Sequence, residues 1–222
     1  GTWQTHVDCD PALAVPVPDT INDLVAARAY INPLAASTML DAWPVAGKRV
    51  LLSGAGSACA ELLGRWALER GAACVRGIHR SELRMHRLIA CGIEPISIDD
   101  IRTVTAAAGD ADLVFDALGG PVGSIVLDAM RERTVFIAYG LLSGQGIRPS
   151  GTPRARYERF HLRDSLATLS PDTWQRRFQR LWPALLRLDV PPVQVFALDD
   201  WRSAVEQTSR AGTAKPMLRF DR

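Results

Sequence analysis

A doubly wound parallel α/β sheet is the fold class this sequence predicts, with a smaller β-rich remnant formed by the two ends of the chain. Three observations point to it. Short apolar runs alternate with helical patterns through the middle of the 222 residues, the first run leads into a tight turn of small residues, and both ends depart from the alternation. A hydrophobic content of 47% with 23% charged residues is that of a globular chain, long enough for one large domain or for one domain and part of another.

Trp3 to Val7 reads as a strand, and Asp10 to Asp19 as a proline-rich connector. Helix signals run from Thr20 to Tyr30. Asn32 then suits an N-cap, and Pro33 the first position of a helix reaching about Ala42, which Trp43-Pro44 and Gly47 end. Arg49 to Leu52 is an apolar run, Ser53 to Ala60 a small-residue turn, Ala58 to Arg70 a helix broken at Gly71, and Ala73 to Ile78 a second strand ending at His79-Arg80. Strand, turn, helix and strand make one βαβ unit, whose right-handed crossover lays the strands parallel.

The alternation continues beyond it. Ser81 caps a helix through Ala90 that Gly92 closes, and Glu94 to Ile98 is a strand. Asp99 and Asp100 open a helix to about Ala108, Asp112 to Asp116 is a strand, Pro121 to Met130 a helix, and Thr134 to Tyr139 a strand. A loop rich in Gly, Ser and Pro spans Gly140 to Pro153, at a strand's carboxyl end where open α/β sheets bind ligands. Tyr157 to Leu162 is a sixth, edge strand. Pro171 to Leu188 is an amphipathic helix with Trp174, Phe178, Leu181, Trp182 and Leu185 at helical spacing. Val193 to Leu198 and Lys215 to Phe220 are strands around a helix from Asp199 to Arg210, and they are expected to share a small sheet with Trp3 to Val7.

The chemistry is concentrated at the first turn. Gly54-x-Gly56-x-x-Cys59 approaches the G-x-G-x-x-G fingerprint, in which small residues let the backbone reach a pyrophosphate at a helix N-terminus. The other reading is a tight strand-to-helix connection. About 20 residues on, where an NAD site places an acidic residue, the chain has His79-Arg80, which suits a 2′-phosphate and so NADP over NAD; a basic strand end facing water is the alternative.

The remaining composition narrows the partners. Nine arginines lie between Arg148 and Arg187 against Glu158, Asp164 and Asp172, which a solvated surface accounts for. A nucleic-acid footprint would need them on one face with groove-reading elements. A net charge of +2 names no partner. Cys9, Cys59, Cys74 and Cys91 show no C-x-x-C pair and no His at ligand spacing, so they read as free thiols in a reducing compartment, with no metal site. No apolar run approaches the roughly 20 residues of a membrane span. The N-terminus lacks a signal-peptide pattern. A cytoplasmic protein is expected.

Six segments in order resemble the zinc-independent medium-chain dehydrogenase/reductases, the branch of quinone oxidoreductases and 2-enoyl thioester reductases. Gly1-Thr2-Trp3-Gln4-Thr5 resembles a late strand of that family's GroES-like catalytic domain, and Tyr30-Ile31-Asn32-Pro33-Leu34-Ala35-Ala36 is similar to the enoyl reductases' linker-helix signature. Ser53 to Ala60 resembles their turn, with Cys59-Ala60 where Val-Gly is usual. Tyr139-Gly140-Leu141-Leu142-Ser143-Gly144 and Arg159-Phe160-His161-Leu162 resemble two cofactor-side segments, the second usually Gly-Phe-Trp-Leu. Leu198-Asp199-Asp200 with Ala214-Lys215-Pro216-Met217 resembles the return into the catalytic domain.

The resemblance implies an NADP(H)-binding Rossmann domain over residues 32–190, with 1–31 and 191–222 as remnants of a GroES-like domain whose larger part is expected to be absent. It implies hydride transfer to an enoyl thioester, enone or quinone, and a homodimer joined at the edge strand. The competing class is a truncated or degenerate reductase that binds dinucleotide, or a partner, without turnover. Gly54, Ala55, Gly56, Ser57, Ala58 and Cys59 would face the pyrophosphate, and His79 with Arg80 the 2′-phosphate. Asp116, Ala117, Leu118 and Gly119 would lie beside the adenosine or ribose, although Asp116 equally suits a cap on the next turn. Tyr139 and Gly140 lead into the nicotinamide side, where Leu141, Leu142, Phe160 and Leu162 would form a wall, although the leucines equally suit the core. Lys215 would approach the nicotinamide ribose or stand as an exposed strand lysine. In such enzymes the assisting tyrosine belongs to the catalytic domain. Neither Tyr30, Tyr139 nor Tyr157 matches it, and no catalytic residue is assigned.

Overall fold

The computed structural model describes residues 6–166, 169–187, 192–210 and 213–220. Contact density divides them into two units, one of residues 27–169 and one joining the chain up to Ala26 to everything from Ser170 onward. The sequence instead suggested cuts at 31 and 190. The difference lies chiefly in the helix from Pro171, which groups with the chain ends.

In the larger unit, α2 (Ile31–Ala42) precedes a six-stranded, wholly parallel sheet of β1 (Arg49–Leu52), β2 (Cys74–His79), β3 (Glu94–Ser97), β4 (Leu113–Asp116), β5 (Val135–Ala138) and β6 (Arg156–Arg159). The spatial order is β3-β2-β1-β4-β5-β6. Four of the five connections carry a helix, α3 (Ala58–Glu69), α4 (Glu82–Ala90), α5 (Ile101–Asp110) and α6 (Gly120–Ala129), and the fifth, from β5 to β6, is a long loop. The chain therefore builds outward from β1 through β2 and β3, returns, and builds the other way, which opens a crevice between β1 and β4 at the sheet's carboxyl end.

The register explains the core. Leu51, Val114 and Phe136 lie in one row across β1, β4 and β5, and the row ends on β6, where Tyr157 stacks on Phe136 at 5.8 Å. With Val104 and Ala108 of α5 and Val126 and Leu127 of α6 they form the buried cluster on one face of the sheet. Leu52 points the other way, against Gly64 of α3. Two glycines let the layers close. A Cβ on Gly77 in β2 would sit 2.7 Å from that of Ala55 and 2.9 Å from Ile93, and one on Gly64 would sit 2.5 Å from Ile93.

Local chemistry sets the helix ends. Ser57 caps α3, its hydroxyl accepting from the Ala60 amide at 3.3 Å, and Asp100 caps α5 through the Thr103 amide at 3.1 Å. Asn32 does not cap α2. That helix starts two residues before the expected Pro33, at Ile31, and its N-cap position, Tyr30, makes no side-chain cap bond. The expected strand from Tyr157 to Leu162 ends at Arg159, and Leu162 opens a short helix, α7 (Leu162–Leu166). Thr20 to Tyr30 yields only α1 (Asp23–Ala26).

In the smaller unit, β7 (Val193–Ala197) and β8 (Lys215–Arg219) pair in parallel around α9 (Trp201–Thr208). They form a sheet of their own, as expected, while Trp3 to Thr5 lie outside the described residues and His6-Val7 take no strand form. The amphipathic helix α8 (Pro171–Leu186) carries the aromatic stripe, with Trp174, Phe178 and Trp182 in successive ring contact at 4.9 and 5.6 Å. Its Trp174 indole N–H donates to the Leu13 carbonyl at 2.9 Å, and the Gln175 amide donates to Ala14 at 2.5 Å. These bonds hold the proline-rich connector on the helix.

The close layer contact at β2 is testable. Gly77→Ala is expected to cost about 1–3 kcal/mol by overpacking against Ala55 and Ile93. Urea denaturation measures it, and a midpoint equal to that of the parent chain would contradict the packing described.

Candidate functional site: the carboxyl crevice of the sheet

Three loops meet where β1, β4 and β5 end, and one buried pair joins the first two. The Ser53 hydroxyl donates to Asp116 Oδ1, and its oxygen accepts the Ala117 amide at 2.9 Å and the Leu118 amide at 3.3 Å. The Gly119 amide donates to Asp116 Oδ2 at 2.8 Å. Asp116 has no exposed surface. Its carboxylate therefore caps the turn into α6 and is not presented to a ribose, so of the expected segment it is the stretch from Ala117 to Gly119 that remains as backbone at the crevice.

The third loop is fastened to the second. The Tyr139 amide donates to the Asp116 carbonyl at 2.9 Å, Leu142 to Ala117 at 2.9 Å, Ser143 to Leu118 at 3.0 Å, and Gly120 in return to Gln145 at 2.8 Å. Further along, the Arg148 amide bonds Ser124 and the Ser150 amide bonds Asp128. The stretch from Gly140 to Pro153 is thus an ordered platform along α6. Glycine is required at this seam: at Gly119 the backbone is left-handed (φ 65°), and a Cβ would meet the Gln145 carbonyl oxygen at 2.5 Å.

All three loops converge on Gly54. Its backbone is left-handed (φ 60°), and a Cβ there would stand 3.3 Å from both Ala117 and Leu118 and 3.4 Å from Leu142. Gly56 opens a second approach, with the aliphatic stem of Arg84 from α4 lying 3.1 Å from where its Cβ would be. Beyond them α3 begins. The amides of Ala58 and Cys59 have no bond partner among the described residues, so the positive end of α3 is open to an anion.

The other predicted residues sort themselves by burial. Cys59 turns away from the turn and directs its thiol to the Asn32 carbonyl at 3.8 Å, and burial pushes its pKa up to about 12, so it stays a protonated donor. His79 is buried at 7% exposure, its Nδ1 3.2 Å from the Ser81 carbonyl; that nitrogen carries the proton, because a carbonyl only accepts. Arg80 is exposed. Of the expected cationic pair, Arg80 alone is therefore free at the strand end.

Arg84 of α4 lies over the turn, its aliphatic stem against Gly56. The sequence reading passed over Arg84 and Ser53, whose places depend on partners distant in the chain, Gly56 for Arg84 and Asp116 for Ser53. Leu141 and Leu142 are 56% and 64% exposed at the crevice, whereas Phe160 is core, buried at 8% and edge-on to Trp43 at 6.1 Å. Leu162, half-buried, opens α7. Lys215 is an exposed residue in β8 of the smaller unit. Tyr139 ends in a buried phenol whose pKa burial raises well above the usual range.

Among the described residues no group of His, Cys, Asp or Glu is placed to hold a metal ion, and no helix is long and apolar enough to cross a membrane.

Burial also holds the Asp116 carboxyl above the ordinary carboxylate range, against the bonds from Ser53, Gly119 and Leu118. A folded pKa above the unfolded one means that the native chain binds more protons, so stability falls as pH rises from about 4 through the folded value. Asp116→Asn, which keeps the shape, is expected to flatten that fall in denaturation midpoints measured across the acid range. An unchanged slope would show that the carboxylate does not ionise in this setting.

No protein-family model matches the chain. Its sequence is 26% identical over 163 residues to the mitochondrial enoyl-[acyl-carrier-protein] reductase of Arabidopsis thaliana, covering 68% of this chain and 44% of that protein. The chain thus spans less than half of that relative. A Bacillus thuringiensis structure assigned as an NADPH:quinone reductase superposes with a TM-score of 0.87 at 27% identity, over 98% of this chain and 70% of that one. Escherichia coli quinone oxidoreductase complexed with NADPH gives a TM-score of 0.75 at 17% identity, over 91% of this chain and 67% of that one, a likeness of fold. The structural neighbours of this chain are quinone oxidoreductases and enoyl thioester reductases of the medium-chain dehydrogenase/reductase superfamily.

Proposed function

We propose that the crevice of the larger unit binds NADPH and that the protein is an NADPH-dependent oxidoreductase passing hydride to an activated C=C bond, in an enoyl thioester or enone, or to a quinone. The observation that carries the reading is the convergence on Gly54 of the loops after β1, β4 and β5, at the point where the strand order reverses. The residues fit a dinucleotide. The bare turn at Gly54 and Gly56 leaves room for a pyrophosphate against the unpaired amides of α3. Arg80 and Arg84 offer guanidinium groups to a 2′-phosphate, and Leu141 and Leu142 offer apolar surface to a nicotinamide and shield its ring from water. NADPH would supply the hydride. The chain's own residues bind and orient it, and no residue of this chain is assigned a catalytic role.

The likeness to quinone reductases and enoyl reductases supports the substrate classes, and that to an NADPH-complexed oxidoreductase supports the cofactor. The second reading is a non-catalytic dinucleotide-binding or interaction module. Cys59-Ala60 in place of the usual Val-Gly favours it. The outer edge of β6, which among the described strands pairs only with β5, supports a homodimer joined there.

Calorimetric titration tests the reading. NADPH is expected to bind at least tenfold more tightly than NADH, a difference of about 1.4 kcal/mol, and Arg84→Ala to shrink the gap without weakening NADH. Binding of neither would overturn it. Consumption of NADPH with crotonyl thioesters or quinones separates enzyme from binding module, and a strictly monomeric mass at the same concentration would remove the dimer.

A further inference from the structure

The start of α3 holds a polar atom that the fold leaves unsatisfied. Tyr139 Oη is buried and has no hydrogen-bond partner among the described residues, although it lies among Ser57, Cys59 and Asp116. The Ser57 hydroxyl is close enough to draw its pKa down, but the geometry of a made bond is not reached. The other two neighbours are engaged elsewhere. The Cys59 thiol donates to the Asn32 carbonyl, and the Asp116 carboxylate receives Ser53 and the amides of Leu118 and Gly119.

Ser57 has the matching vacancy. A hydroxyl oxygen accepts two hydrogen bonds and donates one. One acceptor position takes the Ala60 amide at 3.3 Å, which leaves a second acceptor position and an undirected hydrogen. Burial keeps the phenol protonated, so Tyr139 is a donor throughout the neutral range.

We propose that Tyr139 is a positioning residue for a diphosphate: with the anion on the turn, its hydroxyl donates to Ser57 Oγ and leaves the serine's own hydrogen aimed at a phosphate oxygen. The inference rests on the cofactor reading above and adds to it the relay from Tyr139 through Ser57 to the pyrophosphate. It gives the buried phenol its partner in the bound state. It also gives position 57 a reason to be serine, beyond the helix cap.

Titrations of the parent chain, Tyr139→Phe, Ser57→Ala, the double variant and Ser57→Thr with NADPH and with NADH test it. Tyr139→Phe is expected to weaken both dinucleotides alike, about 3- to 10-fold, because the pyrophosphate is common to them. Its thermal midpoint should be unchanged or higher, since no made bond is lost in the free chain. In the Ser57→Ala background the tyrosine change should have no further effect, and Ser57→Thr should retain both the affinity and its sensitivity to Tyr139→Phe. Parent-like binding by Tyr139→Phe, or a loss that persists undiminished without the serine hydroxyl, would overturn the relay while leaving the cofactor site standing. A parent chain that binds neither dinucleotide would overturn both.

Discussion

The crevice depends on the buried pair of Ser53 and Asp116. A serine closes β1 and an aspartate closes β4, adjacent strands in the sheet, and the two side chains bind each other and three amides of the loop after β4. A carboxylate without exposed surface is costly unless its oxygens are met. Here four donors meet it or its serine partner, so the pair commits the two loop starts to one arrangement. The position of Gly54 relative to Ala117 and Leu118 follows, and with it the space above the turn.

The second constraint is close backbone approach. The loop after β5 lies so near the loop after β4 that a Cβ on Gly140 would stand 2.8 Å from the Ala117 carbonyl oxygen. Only bare backbone fits there, and the carbonyls of residues 116–118 become acceptors for the third loop. At the opposite, amino end of the strands, Arg49 and Arg76 bind Asp110, Asp112 and Glu94 in a half-exposed ion network. That network sits on solvent-screened positions and contributes modestly, whereas the polar groups of the crevice are buried and mutually satisfied. Among the buried side-chain atoms at the crevice, Tyr139 Oη is the exception.

Much of this was legible in the sequence because it is local. Alternating apolar runs, Asp100 at the start of a helix and the glycines after helices each act within a few residues, and they marked the six strands and their order of appearance. The features that were not legible depend on distant partners. Phe160 reads as a pocket wall beside the enoyl reductase motif, yet Trp43 meets it from the end of α2 and takes it into the core. His79 reads as an exposed cation at a strand end, but β2 lies inside the sheet between β3 and β1, and its last residue is buried there. Asp116 was equally suited to a ribose or a cap until Ser53, 63 residues away, decided for the cap. The helix from Pro171 looked continuous with the cofactor domain, and it is the bonds of Trp174 and Gln175 to the connector that tie it to the chain ends.

The central claim is that three loops fixed by the Ser53 and Asp116 pair form one dinucleotide cradle. Hydrogen exchange of the chain with and without saturating NADPH measures it most directly. The account predicts added protection at the segments around residues 54–60, 117–120 and 139–143, gained together at one cofactor concentration and confined to them and to the 2′-phosphate side around residues 80–84. Protection elsewhere, or at one of the three without the others, would contradict it.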